Sequence, residues 1–353
     1  MSVFVVVAGP RVARRYREGA ESLLSPHGPM RWVDWIDDDP VEGRDESLDE
    51  CLGDADALIS TPWLGAAPHL AMPRFDEGRL ERASSLKVIA GTYDFRFGWI
   101  DIDEADRRSV AIVDTSRTMT PTVAEFGVAM TLNLLRDIPR SVEIVRNGGW
   151  TSGAPDGDGF VYGDLAGRSI GLAGYGSINR HYRRLIAPFG CRVSAYDPFV
   201  RDDELHRDAV CRAATLVDLA SECEIFVVAI PPTPATLKGV SAEVVNALPE
   251  GSLFVLLSRM AVVDQDALWL RLRREELRAA IDVYDPEPPD RDAWFRTAPN
   301  VIPTPHIAGN AAYAHERCFV AAIDDTLAIL QGGTPQHLLS RRDKQLYDGS
   351  LAS

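Results

Sequence analysis

Three ionisable residues in the second half of the chain have side chains suited to acid-base chemistry on a carbonyl group. Arg259 follows the apolar run 253–257, Glu287 follows the run 279–283, and His306 lies between Pro305 and Ile307. A guanidinium binds a carboxylate with two hydrogen bonds and polarises a carbonyl beside it. An imidazole exchanges a proton near neutral pH, and a neighbouring carboxylate orients the ring and favours its protonated form. The three types together predict the interconversion of a 2-oxo acid and a 2-hydroxy acid.

A glycine-rich turn upstream predicts a dinucleotide site. The apolar run 169–173 is followed by Gly174-Tyr175-Gly176-Ser177-Ile178-Asn179 and then by a helical pattern. The first glycine allows the tight turn, the second allows close approach of a pyrophosphate, and the helix start offers N–H groups to it. Asn179 stands where a third small residue is expected. It would either push the helix away from the strand or add a contact of its own.

Asp197 ends the next apolar run at about the spacing expected of a carboxylate that binds the ribose. A carboxylate there repels a 2′-phosphate, which favours NAD over NADP. Arg201, a few residues on, argues the other way. The alternative interpretation of Asp197 is a residue that starts a turn before Pro198.

The elements that position these residues follow an alternating strand and helix pattern. A chain of 353 residues predicts about two domains at roughly 150 residues each. Short apolar runs in the first third predict one α/β unit, and those from 169 onward predict a doubly wound parallel sheet, whose ligands lie at the carboxyl ends of the strands. The segment 122–136 is apolar nearly all round, so a helix there is buried on more than one side or packs against a second copy. We expect a loop over 146–167 and a frayed polar tail over 331–353.

The composition argues against several classes of binding partner. Lys and Arg number 37 against 52 Asp and Glu, a net charge of −15, which counts against nucleic acid and anionic membranes. The five cysteines have no metal-ligand spacing, so no metal site is expected and the thiols are predicted to be reduced core residues. The N-terminus lacks a signal pattern and no run is long enough to span a membrane, which predicts a soluble, cytoplasmic protein.

Several segments together resemble the D-isomer-specific 2-hydroxyacid dehydrogenase family over nearly the whole chain. They are Val123-Ala124-Glu125, Gly149-Trp150, the proline and threonine loop 231–236, the Arg259 segment with Val263-Asp264, Asp282-Val283 with Glu287-Pro288, and Thr304-Pro305-His306-Ile307.

The resemblance implies an α/β fold of two doubly wound, Rossmann-like domains. Residues 1–120 and 304–353 would form a discontinuous substrate domain, and 121–303 an inserted NAD-binding domain. It also implies that His306 is the acid and base, Glu287 its partner and Arg259 the substrate anchor, and it favours a homodimer. The implied cofactor contacts are Gly174, Gly176, Ser177, Ile178, Asp197, Pro231, Thr236, Ser258, Asp282 and Gly309, with Asp282 near the nicotinamide carboxamide; the implied substrate contacts are Gly91, Thr92, Tyr93 and Trp63.

The sequence also departs from the family pattern. Met260 replaces the glycine usual after the arginine, Leu257-Ser258 replaces the usual Asn-Thr pair, and 93–99 is bulky and aromatic. Trp63, Tyr93 and Trp99 are therefore either core aromatics or walls of the substrate pocket. Two alternative functions stay open at this point: an NAD(H)-binding sensor resembling a corepressor, and a dehydrogenase of the same fold acting on an oxyanion such as phosphite.

Overall fold

The computed structural model describes residues 1–8, 10–34, 41–61, 74–91, 99–150, 161–340 and 343–345. The chain divides into two compact units. The first contains Met1–Met119 and the segment that follows Asn310, and the second contains Thr120–Gly309.

The first unit is a five-stranded parallel sheet in the order β2-β1-β3-β4-β5. Its strands are buried on both faces, as expected of a parallel sheet covered by helices. Leu58 and Ile89 pack on one face, and Ile59 and Ala90 on the other. The elements are β1 (Phe4–Ala8), α1 (Pro10–Leu24), β2 (Met30–Asp34), α2 (Val41–Leu52), β3 (Ala57–Thr61), α3 (Glu77–Arg82), β4 (Val88–Gly91), α4 (Ile102–Arg107), β5 (Ala111–Asp114) and, from the end of the chain, α12 (Ala312–Leu330).

The segment after α12 is docked as far as residue 340, so the expected frayed tail is wrong for this part of it. The backbone and the Nδ1 atom of His337 bond the buried carboxylate of Asp325. Leu338 pairs with Val113 of β5, and Leu339 is 8% exposed in the core of the unit. The polar composition concealed these anchors, because they are few: the Asp325 carboxylate, one backbone pairing and one buried leucine.

The second unit contains a seven-stranded parallel sheet in the order β12-β11-β10-β9-β6-β7-β8. Its elements are α5 (Thr120–Arg136), α6 (Ile138–Arg146), β6 (Ser169–Ala173), α7 (Ser177–Ile186), β7 (Arg192–Tyr196), α8 (Asp202–Arg207), β8 (Cys211–Arg212), α9 (Leu216–Ser221), β9 (Ile225–Val228), α10 (Ala242–Ala247), β10 (Leu253–Leu256), α11 (Gln265–Arg273), β11 (Arg278–Ile281) and β12 (Val301–Pro303).

The order of these strands creates a switch point beside β6. The chain adds β7 and β8 on one side of β6, and then crosses to add β9 to β12 on the other. Open parallel sheets bind ligands at the carboxyl ends of the strands where the order reverses. The cleft for a ligand is therefore expected between the loops that follow β6 and β9.

The predicted fold class, two doubly wound parallel sheets, is confirmed. Of the loop predicted over 146–167, the described residues 147–150 and 161–167 lie outside helices and strands as expected, but Arg146 ends α6, a helix that the sequence reasoning missed. All five cysteines are free, yet only Cys223 and Cys318 are buried, so the prediction of core thiols is wrong for exposed Cys211. Among the described residues, no helix combines the length and apolar character needed to cross a membrane.

Candidate active site

The predicted site residues of the second unit follow neighbouring strands. Arg259 lies beyond β10, Glu287 beyond β11 and His306 beyond β12, while the glycine turn follows β6 and the loop 231–236 follows β9. Since these strands are parallel and adjacent, their carboxyl ends meet at one edge of the sheet. The topology thus brings the predicted catalytic and cofactor residues of this unit to the same edge.

His306 and Glu287 form a hydrogen-bonded pair. The Nδ1 atom of His306 lies 2.9 Å from Oε2 of Glu287, and their side chains are 15% and 11% exposed. The other carboxylate oxygen, Oε1, accepts a hydrogen bond from the backbone N–H of Tyr284 at 2.8 Å. Burial acts to raise the pKa of Glu287, but the hydrogen bond and charge of His306, the Tyr284 N–H and the charge of Arg259 together hold it below its ordinary value.

An ionised Glu287 fixes the tautomer of the imidazole. A carboxylate only accepts hydrogen bonds, so Nδ1 of His306 carries a hydrogen. The second nitrogen, Nε2, is not engaged by this bond to Glu287. The structure brings His306 and Glu287 together, and their role as acid and base stays a prediction.

Asp282 shapes the loop that carries His306. Its Oδ1 atom accepts hydrogen bonds from Oγ1 of Thr304 and the N–H of Ile307, and its Oδ2 atom accepts one from the N–H of Ala308. Burial raises the pKa of this carboxyl, which is 2% exposed, against the opposing effect of these donors. His306 itself has φ +53°, an unusual backbone conformation that the surrounding bonds define. The predicted contact of Asp282 with the nicotinamide stays a prediction.

Arg259 lies between two buried neighbours. Its Nη1 atom donates to the carbonyl of Ser258 at 2.7 Å, and its charge reaches Glu287. Met260, which replaces the family's glycine, is 2% exposed and packs in the core of the second unit. The side chain of Met260 therefore packs in the core, and Arg259 still follows β10 at the edge of the sheet.

The glycine turn has the backbone that a pyrophosphate site requires. Gly174 has φ +80°, and a Cβ atom there would lie 3.2 Å from the carbonyl oxygen of Ala229, so only glycine fits without strain. A Cβ on Gly176 would meet no described atom within 4 Å. Gly176 caps α7 without a side-chain bond, which leaves the N–H groups of Ser177 and Ile178 without intrahelical acceptors.

Asp197 joins the end of β7 to the glycine turn. Its Oδ2 atom accepts from the N–H of Tyr175 at 2.8 Å, and its Oδ1 atom accepts from the N–H of Phe199. Arg201 is directed elsewhere: both its Nε and its Nη2 atoms bond the carboxylate of Asp203. A carboxylate thus lies beside the turn at the position predicted to bind the ribose.

The loop after β9 is closed by its own threonines. The Oγ1 atom of Thr236 donates to the carbonyl of Pro231 and accepts from the N–H of Thr233. Gly309, another predicted cofactor contact, is half-buried just beyond the His306 loop. The residues present fit an NAD molecule: an open glycine, N–H groups without intrahelical acceptors at a helix start, and a carboxylate at the end of the next strand.

The predicted substrate contacts belong to the first unit. Gly91 ends β4 and is buried. Thr92, Tyr93 and Trp63 lie outside the described residues. Trp99 is partly buried against the core of that unit, which favours the interpretation of this residue as a core aromatic.

The sequence reasoning missed the residues that support the site. Tyr284 and Thr304 act through Glu287 and Asp282, and Arg180 bonds the turn from α7. Only Thr304 lay within a segment that carried the resemblance. Tyr284 and Arg180 bond groups only three and five residues away, Glu287 and the carbonyl of Tyr175, but no residue pattern marks these bonds.

Comparisons with known proteins place the chain among dehydrogenases. Residues 128–308 match the family described as D-isomer specific 2-hydroxyacid dehydrogenase, NAD binding domain. The human glyoxylate reductase/hydroxypyruvate reductase is 28% identical over 91% of this chain and 94% of its own length. The YoaD protein of Bacillus subtilis is 29% identical over 60% of this chain; the match spans 61% of YoaD, less than two thirds of that relative.

A solved structure shows the same fold. The PH0520 protein from Pyrococcus horikoshii OT3 superposes with a TM-score of 0.76 and 26% identity, over 98% of this chain and 97% of that one. The matched family region contains Arg259, Glu287 and His306. The chain therefore belongs to the D-isomer specific 2-hydroxyacid dehydrogenase family.

Proposed function

We propose that this protein uses NADH to reduce a short 2-oxo acid to the D-2-hydroxy acid, and catalyses the reverse reaction with NAD. Family membership makes the chain an oxidoreductase with an NAD-binding domain. The observation that supports the assignment of residues is the pair of His306 and Glu287, 2.9 Å apart, with the charge of Arg259 acting on the same carboxylate. The comparisons favour this function over the sensor and the phosphite dehydrogenase.

Each residue of this set has a distinct role in the proposed reaction. When bound, the nicotinamide supplies or accepts the hydride. Arg259 binds the carboxylate of the substrate and polarises the adjacent carbonyl. His306 donates a proton from Nε2 to the carbonyl oxygen. Before this transfer the ring is protonated, and the carboxylate of Glu287 stabilises that charged form. In the reverse direction the same nitrogen accepts the proton of the hydroxyl group.

We assign the cofactor to the loops after β6, β7 and β9. The N–H groups of Ser177 and Ile178 would bind the pyrophosphate and Asp197 the ribose hydroxyls. Because Arg201 is paired with Asp203, a 2′-phosphate would meet the carboxylate of Asp197 without a compensating cation from Arg201. This supports a preference for NAD over NADP.

The substrate domain is proposed to be the first unit, with its boundary near residue 120 and the chain returning to it near residue 304. The compact units divide after Met119 and after Gly309, which supports this organisation. Gly91 at the end of β4, with Thr92, Tyr93 and Trp63, is the proposed source of further substrate contacts.

A homodimer is proposed to form through α6. Ile138, Val142 and Val145 recur at helical spacing and are 44%, 39% and 56% exposed, and Trp150 beyond them is 83% exposed. A second copy of the chain suits this face, because α6 also carries both signs of charge, in Glu143 and Arg146. Five free cysteines fit a reducing compartment, and we place the protein in the cytoplasm.

The proposed reaction is tested by NADH oxidation with glyoxylate, hydroxypyruvate, pyruvate, phenylpyruvate and oxaloacetate. His306→Ala and Arg259→Ala should lose turnover, and His306→Ala should still bind NADH. His337→Ala is a matched control, since His337 also bonds a carboxylate, that of Asp325, but in the first unit. Near-normal turnover in His306→Ala would show that the assigned mechanism is wrong. If every 2-oxo acid fails while NADH binds, the sensor or phosphite function would replace this one.

A further inference from the structure

We propose that Asn179 and Arg180, the third and fourth residues of α7, are positioning residues that hold the glycine turn in the conformation that binds the cofactor. The inference rests on the proposed function in that the turn is taken to bind NAD. It concerns residues outside the predicted contacts. Asn179 stands where the dinucleotide fingerprint expects a small residue.

The side chain of Asn179 donates hydrogen bonds to two backbone carbonyls, one at the end of β6 and one in the turn. Its side chain is fully buried, and its Nδ2 atom donates to the carbonyls of Ala173 at 3.2 Å and Gly174 at 2.6 Å. No described residue bonds its Oδ1 atom. A flipped amide would place Oδ1 against both carbonyls, so these two acceptors fix the orientation of the group.

Arg180 bonds the next carbonyl of the turn. Its Nε atom donates to the carbonyl of Tyr175 at 3.0 Å, and its guanidinium lies 4.8 Å from the centre of the buried Tyr175 ring. Its Nη2 atom bonds Glu204 of α8 at 2.8 Å, and the hydroxyl of Tyr175 bonds Asp208 just beyond that helix. The turn is thereby connected to the segment that follows the ribose-binding strand.

Together these bonds occupy every backbone polar group of the first two residues of the turn. The N–H of Gly174 donates to the carbonyl of Tyr196, and the N–H of Tyr175 donates to Asp197. The two carbonyls accept from Asn179 and Arg180. With both peptide groups held, the next N–H groups of the helix start have a fixed direction before any ligand arrives. Such preorganisation strengthens binding, because less conformational freedom is lost on association.

The effect should be confined to cofactor affinity. The strands β9 and β10 separate β6, which precedes the turn, from β11, which precedes Glu287. Changes at Asn179 should raise the dissociation constant and KM of NADH while kcat at saturating NADH and the KM of the 2-oxo acid stay constant.

Replacement of Asn179 by glycine gives opposite results under the two interpretations. If Asn179 holds the turn, Asn179→Gly weakens the binding of NADH about tenfold, because two hydrogen bonds to the turn are lost. If Asn179 is only a tolerated intruder that displaces the helix, restoring the expected glycine strengthens binding. Fluorescence titration with NADH and calorimetric titration with ADP-ribose, which has the pyrophosphate but no nicotinamide, should give the same loss.

Two further variants keep the test decisive if Asn179→Gly does not fold. Asn179→Asp preserves the size of the side chain but removes the donor. Arg180→Met preserves the aliphatic stem but removes the bond to Tyr175. Both variants should bind ADP-ribose more weakly. The exposed Arg184→Met, on the same helix, is the control and should bind as the wild type does. Unchanged or tighter ADP-ribose binding in the folded variants would overturn the inference. A wild-type protein that binds neither ligand would instead overturn the proposed function, and this inference with it.

Discussion

The ring of Tyr284 stacks on that of Phe295, with centroids 5.1 Å apart and planes 13° from parallel. The stack continues from Phe295 to Trp269, again at 5.1 Å, on α11. Tyr284 is also the residue whose N–H binds Oε1 of Glu287. The aromatic stack therefore supports the backbone that orients the carboxylate, and through it the imidazole of His306.

Loosening this stack should lower turnover. Phe295 is 6% exposed, and Phe295→Leu shortens the stacked surface while keeping an apolar side chain. We expect kcat to fall several-fold, about what a small misplacement of catalytic groups produces, with the KM for NADH unchanged. Steady-state kinetics beside Phe189→Leu, an exposed phenylalanine of the same unit, tests this. Unaltered kcat with a lower melting temperature would mean that the stack serves stability alone.

The pKa of Glu287 predicts a pH-dependent contribution to stability. Since the folded protein holds this pKa below its ordinary value, the ionised form stabilises the fold at pH values above the unfolded pKa of about 4.3. That contribution is lost as the pH falls through the folded pKa. Glu287→Gln, which has no charge to lose, should be less stable than the wild type near pH 7, with the gap closing below about pH 4. Urea unfolding over a pH series measures the gap; a constant difference would contradict the assignment.

Glycines 174 and 176 should separate folding from cofactor binding. Gly176→Ala adds a Cβ that meets no described atom within 4 Å and has an ordinary φ, so the melting temperature should hold while NADH binding weakens about tenfold or more. Gly174→Ala, at φ +80° and 3.2 Å from the Ala229 carbonyl oxygen, should lower the melting temperature. Tight NADH binding by Gly176→Ala would place the pyrophosphate elsewhere.

The sequence predicted those elements that a local residue pattern marks, and it missed those that have no such pattern. Strand β6 was predicted over 169–173, as observed, because each of its residues is apolar or small and a turn follows at once. The edge strand β8 has only two residues, both exposed, and no local pattern marks it. Helix α6 was missed because its apolar residues face outward.

The same distinction holds for the site. The proposed catalytic residues Arg259, Glu287 and His306 follow the ends of strands, where the order of the apolar runs pointed to them; the choice of Glu287 also needed the family resemblance. Those that hold them depend on bonds between separate loops. The three bonds that Asp282 accepts from the His306 loop are of this kind. The bonds of Asn179 are local, to Ala173 and Gly174, but the residue type alone left two outcomes open.

Asp197 should determine which nicotinamide cofactor is used. Asp197→Asn removes the charge that would repel a 2′-phosphate, so the ratio of kcat/KM for NADH to that for NADPH should fall about tenfold or more. Arg201→Ala is the matched control on the same segment, because this arginine already bonds Asp203. Kinetics with both cofactors measure the ratio. A wild type that prefers NADPH, or a larger effect of Arg201→Ala, would reverse the assignment.

The apolar face of α6 predicts the oligomeric state. Val142 and Val145 project from a helix that has no buried residue in the single chain, and an exposed row of apolar side chains of this kind suits a symmetric interface. Val145→Glu places like charges opposite or near one another across a two-fold axis and should convert a dimer into monomers. Leu270→Glu, on α11, introduces the same charge at a residue 49% exposed and should leave the dimer intact. Sedimentation or light scattering distinguishes the two masses, and NADH binding by the monomeric variant would show that its fold survives. A wild-type protein that is monomeric at micromolar concentration, or a Val145→Glu variant that still dimerises, would remove α6 as the interface.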